Sequence, residues 1–367
     1  MDIQVTISKT DRWHYIDLIE SIAILFVIIY HSTTYSFSWM ENSSALFYIR
    51  YYLRTILSTC VPLFFFANGY LMLNRSFDLK KHIIKIVKII VLTLIWSIIT
   101  LILLMPPIKN EYLSVRELVV YLQHGKGAIN HLWYMGALVC IYIFFPLLKI
   151  SFDNYRKAFI YFVIICAIMT FGKTFICNYG SIVLNKFGVH EGIINANCFN
   201  MFNPFRGIRG YSFVYFCIGG LAHDFVNKLQ DISQKKISTI AMLTIALSCF
   251  GLFMTGIALS NISGKMWDVV WSGYDTIFTL VNVCMIFVLS VFYRGNSKII
   301  RLISINTLGI YFIHAIIINF TMEFMKTIPF VQSFIGCIVY SLLIMFICLI
   351  LTQILIRIPI VKKLIKL

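Results

Sequence analysis

The chain has 367 residues, 60% of them hydrophobic and 13% charged, where a soluble domain carries roughly 25% charged residues. That excludes an ordinary soluble fold and requires a multi-spanning membrane protein. The formal net charge of +16 does not point to nucleic acid. The basic residues are strung between apolar runs, where they read as topology signals and as contacts with anionic lipid headgroups.

A membrane span needs about 20 mostly apolar residues. Ten stretches qualify: 15–37, 45–73, 83–104, 131–149, 157–176, 209–226, 237–260, 273–293, 302–324 and 331–356. The expectation is an all-α integral membrane protein, a bundle of about ten transmembrane helices. No linker or composition shift divides it, so residues 1–367 read as a single domain. The loops at 105–130 and 177–208 are too short for a separate catalytic fold.

Lys and Arg set the orientation. With the N-terminus in the cytoplasm, Lys9, Arg12, Arg75, Lys80, Lys81, Lys85, Arg156, Lys157, Lys235, Lys236, Lys298, Arg301, Lys362 and Lys363 all fall on the cytoplasmic side. Both termini are therefore expected inside. The first apolar run is too long for a signal-peptide core and no small-residue cleavage site follows it, so it is expected to remain. After the third span, residues 114–122 read as a short amphipathic helix along the outer interface. The ten cysteines form no CxxC pair and no metal spacing. Most read as small apolar fillers, with a Cys177–Cys198 disulfide as the one open pairing.

The first span is unusual because Asp17, Glu20 and His31 lie within it. A charge at the bilayer centre costs at least ~2.5 kcal/mol, so such groups generally face a cavity or a partner. Glu20 and His31 are about three turns apart on one stripe, roughly 16 Å along the axis. An imidazole, with an ordinary pKa near about 6.5, suits proton transfer at neutral pH. His31 is thus a candidate general base, while Glu20 is too distant to touch it. With the topology above, His31, Arg54, His131, Arg206 and Arg209 all fall in or beside the outer half, and His314 lies near mid-membrane. Each has a plainer reading. The histidines would only bond neighbouring helices, Arg54 would snorkel to lipid phosphate, and Trp133, Tyr134 and Tyr211 would be interfacial aromatics. There is no GxSxG elbow, phosphate loop or HExxH motif, which argues against a classical hydrolase or ATPase.

Four stretches in register then carry a resemblance. The first span, Tyr15-Ile16-Asp17 through His31-Ser32, resembles the opening of the membrane-bound family 3 acyltransferases, Tyr-Ile-Asp-x-x-Arg, an apolar run, then His-Ser. Residues 61–71, with Asn68 where many members have Ser, resemble the second-span motif. His131-Leu132-Trp133-Tyr134, with Tyr142 and Pro146, resembles the His-Leu-Trp segment, and Leu308 to His314 resembles the late Gly-Ile-Tyr-Leu-x-His. The resemblance spans the chain and implies ten spans. It also implies acyl transfer, most often acetyl, from cytoplasmic acetyl-CoA or another acyl-CoA to a hydroxyl of a cell-surface polysaccharide or lipid-linked sugar, with His31 catalytic. The chain departs at Glu20, where many members have Arg; a carboxylate repels a donor phosphate that a guanidinium would hold.

The resulting expectation is a multi-pass O-acyltransferase of the plasma membrane. His31, Glu20 and Arg54 are its catalytic candidates. His131, Trp133, Tyr134, Arg206, Arg209, Tyr211, His314 and Asn68 are expected to contact substrate, and no metal is expected. The rival from another class is an exporter of a glycan or glycan intermediate, in which a buried His and carboxylates relay protons.

Overall fold

A computed structural model describes residues 13–33, 45–109, 114–124, 127–189, 192–194, 209–293 and 295–359. Among these the secondary structure is helical throughout. Fourteen α-helices follow in order: α1 His14–Thr33, α2 Ala45–Arg54, α3 Cys60–Leu73, α4 Leu79–Lys109, α5 Val115–His124, α6 Trp133–Asn154, α7 Arg156–Ala167, α8 Lys173–Lys186, α9 Gly210–Ala222, α10 Val226–Gln230, α11 Gln234–Ser263, α12 Ile277–Val291, α13 Lys298–Lys326 and α14 Phe334–Ile356. A 3₁₀ turn, Thr55–Thr59, joins α2 to α3 and a π-helical turn, Ile168–Gly172, joins α7 to α8. Each join is continuous, so Ala45–Leu73 and Arg156–Lys186 are single long spans.

Eight helical segments are long and apolar enough to cross a membrane, fewer than the ten read from hydropathy. The two stretches at 209–226 and 273–293 fall on α9, with 13 residues, and α12, with 15. At 1.5 Å per residue these rise only about 20 and 22 Å, less than the ~30 Å hydrocarbon layer. Both stretches extend past the helix itself: 209–226 takes in the 3₁₀ turn His223–Phe225 after α9, and 273–293 takes in residues 273–276 before α12. The fifth span differs in the other direction: helix continues to Lys186, through part of the expected 177–208 loop.

Contacts at the helix ends define two faces of the bundle. At one, Arg75 packs its guanidinium on Trp13, Lys149 donates to Leu73 O at 2.8 Å, and Arg156 pairs with Asp224. At the other lie His31, His131, Trp133, Arg209 and Tyr274. Helix α9 runs from Tyr211, whose ring is 5.7 Å from Tyr274, to its far end beside the Asp224–Arg156 pair. Short as it is, it therefore joins the two faces.

The α3–α9 crossing is made at backbone contact. A Cβ on Gly69 would sit 1.7 Å from Phe216 O, and one on Gly219 would sit 2.0 Å from Phe66 O. Without a hydrophobic force between helices in lipid, small residues that allow such an approach hold them together. Inside, aromatic and branched side chains such as Phe65, Tyr70, Tyr215 and Phe312 fill the core. Outside, Leu147, Leu247, Ile335 and Phe346 are exposed, as expected for lipid-facing positions. The amphipathic stretch is α5. Its start is a capping box in which Ser114 Oγ accepts from Glu117 N and Glu117 Oε2 accepts from Ser114 N, satisfying two otherwise orphan donors. Cys198 and Arg206 lie outside the described residues.

Candidate active site

Three imidazoles from distant parts of the chain meet. His31 lies on the last turn of α1, His131 on the 3₁₀ turn Gly127–Leu132 before α6, and His314 in the middle of α13. The His314 ring centroid is 5.3 Å from that of His31 and 5.6 Å from that of His131. His314 is 0% exposed. Its Nδ1 lies 2.6 Å from Tyr311 O. A carbonyl only accepts, so Nδ1 carries the proton and Nε2 presents a lone pair. That Nε2 has no hydrogen-bond partner among the described residues. Tyr311, one turn earlier, donates to His131 O at 2.5 Å, tying α13 to the start of α6.

Arg54 belongs to the same layer. Its side chain is 4% exposed and pairs with Asp268 at 3.6 Å, so it does not snorkel to lipid. Tyr30, next to His31, donates to the other Asp268 oxygen at 2.8 Å, and the Arg54 guanidinium lies 5.3 Å from the Tyr30 ring centroid. The 264–276 connection that carries Asp268 is pinned from two sides and closed by a bond of its own. Tyr51 donates to Trp267 O at 2.6 Å, Trp267 N donates to Ser260 Oγ at 2.8 Å, and Val270 N donates to Asp268 Oδ1 at 3.0 Å. Asp268 escaped the sequence reading because it sits just before an apolar run, and only the folded chain places it beside Arg54.

Toward the Trp13 face a cavity of about 370 Å³ opens, lined by Glu20, Asn68, Lys85, Tyr134, Tyr142 and Tyr311. Its wall is a hydrogen-bonded chain. Lys85 Nζ donates to Tyr142 Oη at 3.2 Å, Tyr142 Oη donates to Asn68 Oδ1 at 3.0 Å, and Asn68 Nδ2 donates to Tyr134 Oη at 3.3 Å. Glu20 has no part in the histidine layer. Ser304 on α13 places its hydroxyl 2.5 Å from Glu20 Oε2 and 2.8 Å from Asp17 Oδ1, so the two carboxylates of the first span share one partner on α13. Lys85 was read from sequence only as a topology signal, yet it is the cation of this cavity. Arg156, by contrast, is held by Asp224 and stacked 3.7 Å from the Phe152 centroid.

At the opposite face a second cavity, about 650 Å³, is lined in part by Lys173, Arg209, Tyr211, Trp267, Trp271 and Asp275. Trp133 borders it: its ring lies 5.5 Å from Trp271 and 3.9 Å from the Arg209 guanidinium carbon. Trp133 follows His131 by two residues, so this second cavity and the histidine layer share the start of α6. Of the residues expected at the site, His31, His131, His314 and Arg54 surround the layer. Asn68, Tyr134 and Glu20 line the first cavity, and Trp133, Arg209 and Tyr211 stand at the second. No cluster of three or more His, Cys, Asp or Glu among the described residues is arranged to hold a metal ion.

No curated protein and no solved structure matches the chain. The family model Acyl_transf_3, described as an acyltransferase domain, matches residues 13–354, a stretch that contains the histidine layer and both cavities. The chain therefore belongs to acyltransferase family 3, as a multi-pass membrane acyltransferase.

Proposed function

We propose that the protein is an O-acyltransferase of the plasma membrane, with both termini on the cytoplasmic side. It moves an acyl group, acetyl by family resemblance, from acyl-CoA to a hydroxyl of a cell-surface polysaccharide or lipid-linked sugar. The observation that carries this reading is the meeting of His31 with two further imidazoles at a point that adjoins both cavities: His314 packs on Tyr311, which lines the Lys85 cavity, and His131 lies two residues from Trp133, which packs on Trp271 of the Arg209 cavity. A donor made inside and an acceptor presented outside need such a meeting point.

In this reading the acyl-CoA thioester enters the inner cavity past Lys85, with the nucleotide on the basic surface that includes Lys80 and Lys81. The acceptor hydroxyl comes from the outer cavity. His31 removes the hydroxyl proton as the oxygen attacks the thioester carbonyl. The tetrahedral oxyanion is stabilised by Arg54 or His131. Collapse breaks the C–S bond, and the proton held by His31 passes to the departing CoA thiolate. The products are an acyl ester and free CoA. His314, with an unprotonated Nε2 on a ring 5.3 Å from that of His31, is suited to accept an N–H from His31 once substrate is bound and so to choose which His31 nitrogen meets the acceptor.

The test is His31→Ala in native membranes. The variant reaches the membrane and folds, but surface acyl groups disappear and CoA release falls about 10²–10⁴-fold, the usual contribution of a general base. Wild-type acylation by this variant removes His31 from the role of base. An exporter is the rival, since cavities on both sides of one polar layer also suit a carrier. Glycan flux through proteoliposomes without acyl-CoA would establish that rival.

A further inference from the structure

The outer cavity has an unbalanced charge. Among its lining residues are two cations, Lys173 and Arg209, and one carboxylate, Asp275. The carboxylate is already engaged: Thr174 Oγ1 donates to Asp275 Oδ2 at 2.8 Å, and the Lys173 charge acts on the same group. Arg209 has no carboxylate within 4 Å among the described residues. Its guanidinium carbon instead lies 3.9 Å from the Trp133 ring centroid and 4.7 Å from the Trp271 centroid. Two indoles fix the cation by its faces, one N–H bonds the Tyr211 hydroxyl, and the other edge donors face no carboxylate among the described residues.

The backbone of Arg209 is also constrained. It has φ 53°, and it is the one non-glycine residue at positive φ among the described residues. That conformation costs ~1–3 kcal/mol and persists only where the surroundings fix it, which is common at ligand clamps. Lys173 and Thr174 follow the π-helical turn Ile168–Gly172, where an extra residue in the turn rotates everything after it. Two unrelated backbone irregularities, on α8 and at the start of α9, thus deliver polar side chains to one cavity. Its walls include the rings of Trp267, Trp271 and Tyr211, surfaces on which the apolar face of a sugar ring can stack.

From these features we infer that the outer cavity selects an acceptor sugar carrying a negative charge, a carboxylate or phosphate substituent, and that Arg209 is the residue that determines this specificity. The inference rests on the acyltransferase reading for the word acceptor, but the anion site stands on its own geometry. A neutral sugar would leave the remaining Arg209 donors without a charged partner and would find Asp275, the one carboxylate among the described lining residues, already bonded to Thr174. A uronate or phosphate meets the planar N–H edge directly.

The test uses the full-length protein in nanodiscs of neutral lipid. Quenching of tryptophan fluorescence is followed against three tetrasaccharides: one alternating glucuronate and N-acetylglucosamine, one of N-acetylglucosamine bearing a 6-phosphate, and one of unmodified N-acetylglucosamine. One or both anionic sugars should bind about tenfold tighter than the neutral one, the effect of a charge-assisted pair. That preference should shrink in high salt in the wild type, collapse in Arg209→Gln, and return in part in Arg209→Lys. Equal binding of all three sugars overturns the inference. So does displacement of the sugars by adenosine 3′,5′-bisphosphate, which would make this a CoA site, or by phosphatidylglycerol added to the discs, which would make it a headgroup site.

Should Arg209→Gln not fold, the salt dependence in the wild type and the Arg209→Lys result decide. CoA release by the wild type, measured in parallel, separates the two readings. Release stimulated equally by neutral and anionic sugars overturns the anion preference and leaves the acyltransferase standing. Salt-sensitive anion binding with no CoA release under any condition does the reverse.

Discussion

The two cavities are made in opposite ways. The inner one, about 370 Å³, is walled by a continuous chain from Lys85 through Tyr142 and Asn68 to Tyr134. Every member is held by its neighbour, and the carboxylate opposite, Glu20, is tied to Ser304. The outer one, about 650 Å³, is wide and aromatic, and its main cation is held by ring faces instead of by a counter-ion. A satisfied polar chain gives a fixed channel that suits a thin, invariant group such as the pantetheine arm of CoA. A cation clamped by indoles, with one donor given to Tyr211, keeps the rest of its hydrogen-bonding edge for a partner that differs from one acceptor to another. The histidine layer adjoins both, through Tyr311 on one side and Trp133 on the other.

The largest effect is expected from a change that removes both cavities together. Gly69→Leu forces a side chain into Phe216 O, 1.7 Å from the Cβ position. Neither backbone can yield without separating α3 from α9. Overpacking commonly costs ~1–3 kcal/mol and more where the obstacle is main chain, so the variant should lose its thermal transition and its monodisperse peak in detergent. A variant that melts like the wild type would show that this crossing does not hold the frame.

His314→Leu acts on the layer alone. It should lower kcat by about 10²-fold, the low end for loss of proton-transfer assistance, and leave KM for donor and acceptor unchanged. His314→Gln, which retains an acceptor, should recover part of that loss. A change in either KM with kcat intact would move His314 out of the layer's chemistry and into a cavity wall. Lys85→Gln is the mildest change and bears most directly on the contrast. Loss of one partly screened charge contact of ~1 kcal/mol corresponds to about a fivefold rise in KM. That rise should appear for acyl-CoA and not for the acceptor. A rise for the acceptor instead would exchange the roles assigned to the two cavities.

Much of this was legible in the sequence, because helical spans announce themselves by local apolarity and because His31, His131 and His314 are conspicuous in such surroundings. That these three meet was not legible: they come from the first, fourth and ninth expected spans, and no spacing rule connects them. Arg54 illustrates the limit. Its position fitted a snorkelling side chain, and only its partner Asp268, more than two hundred residues away, makes it an interior charge. Glu20 stood out as the departure from the family pattern, but its partner Ser304 could not be read from its own helix. Lys85 looked like one more cytoplasmic lysine. The short α9 and α12 read as full-length spans because a hydropathy window also takes in the apolar residues that flank each helix.

The most direct measurement uses sealed proteoliposomes in which the protein is inserted in one orientation. Acetyl-CoA is supplied only on the side of the Lys85 cavity and an acceptor oligosaccharide only on the side of the Arg209 cavity. If the histidine layer joins a donor path to an acceptor path, acetylated sugar accumulates on the acceptor side and CoA on the donor side. If product forms only when both substrates are on the same side of the membrane, the two cavities do not serve one reaction and the account is wrong.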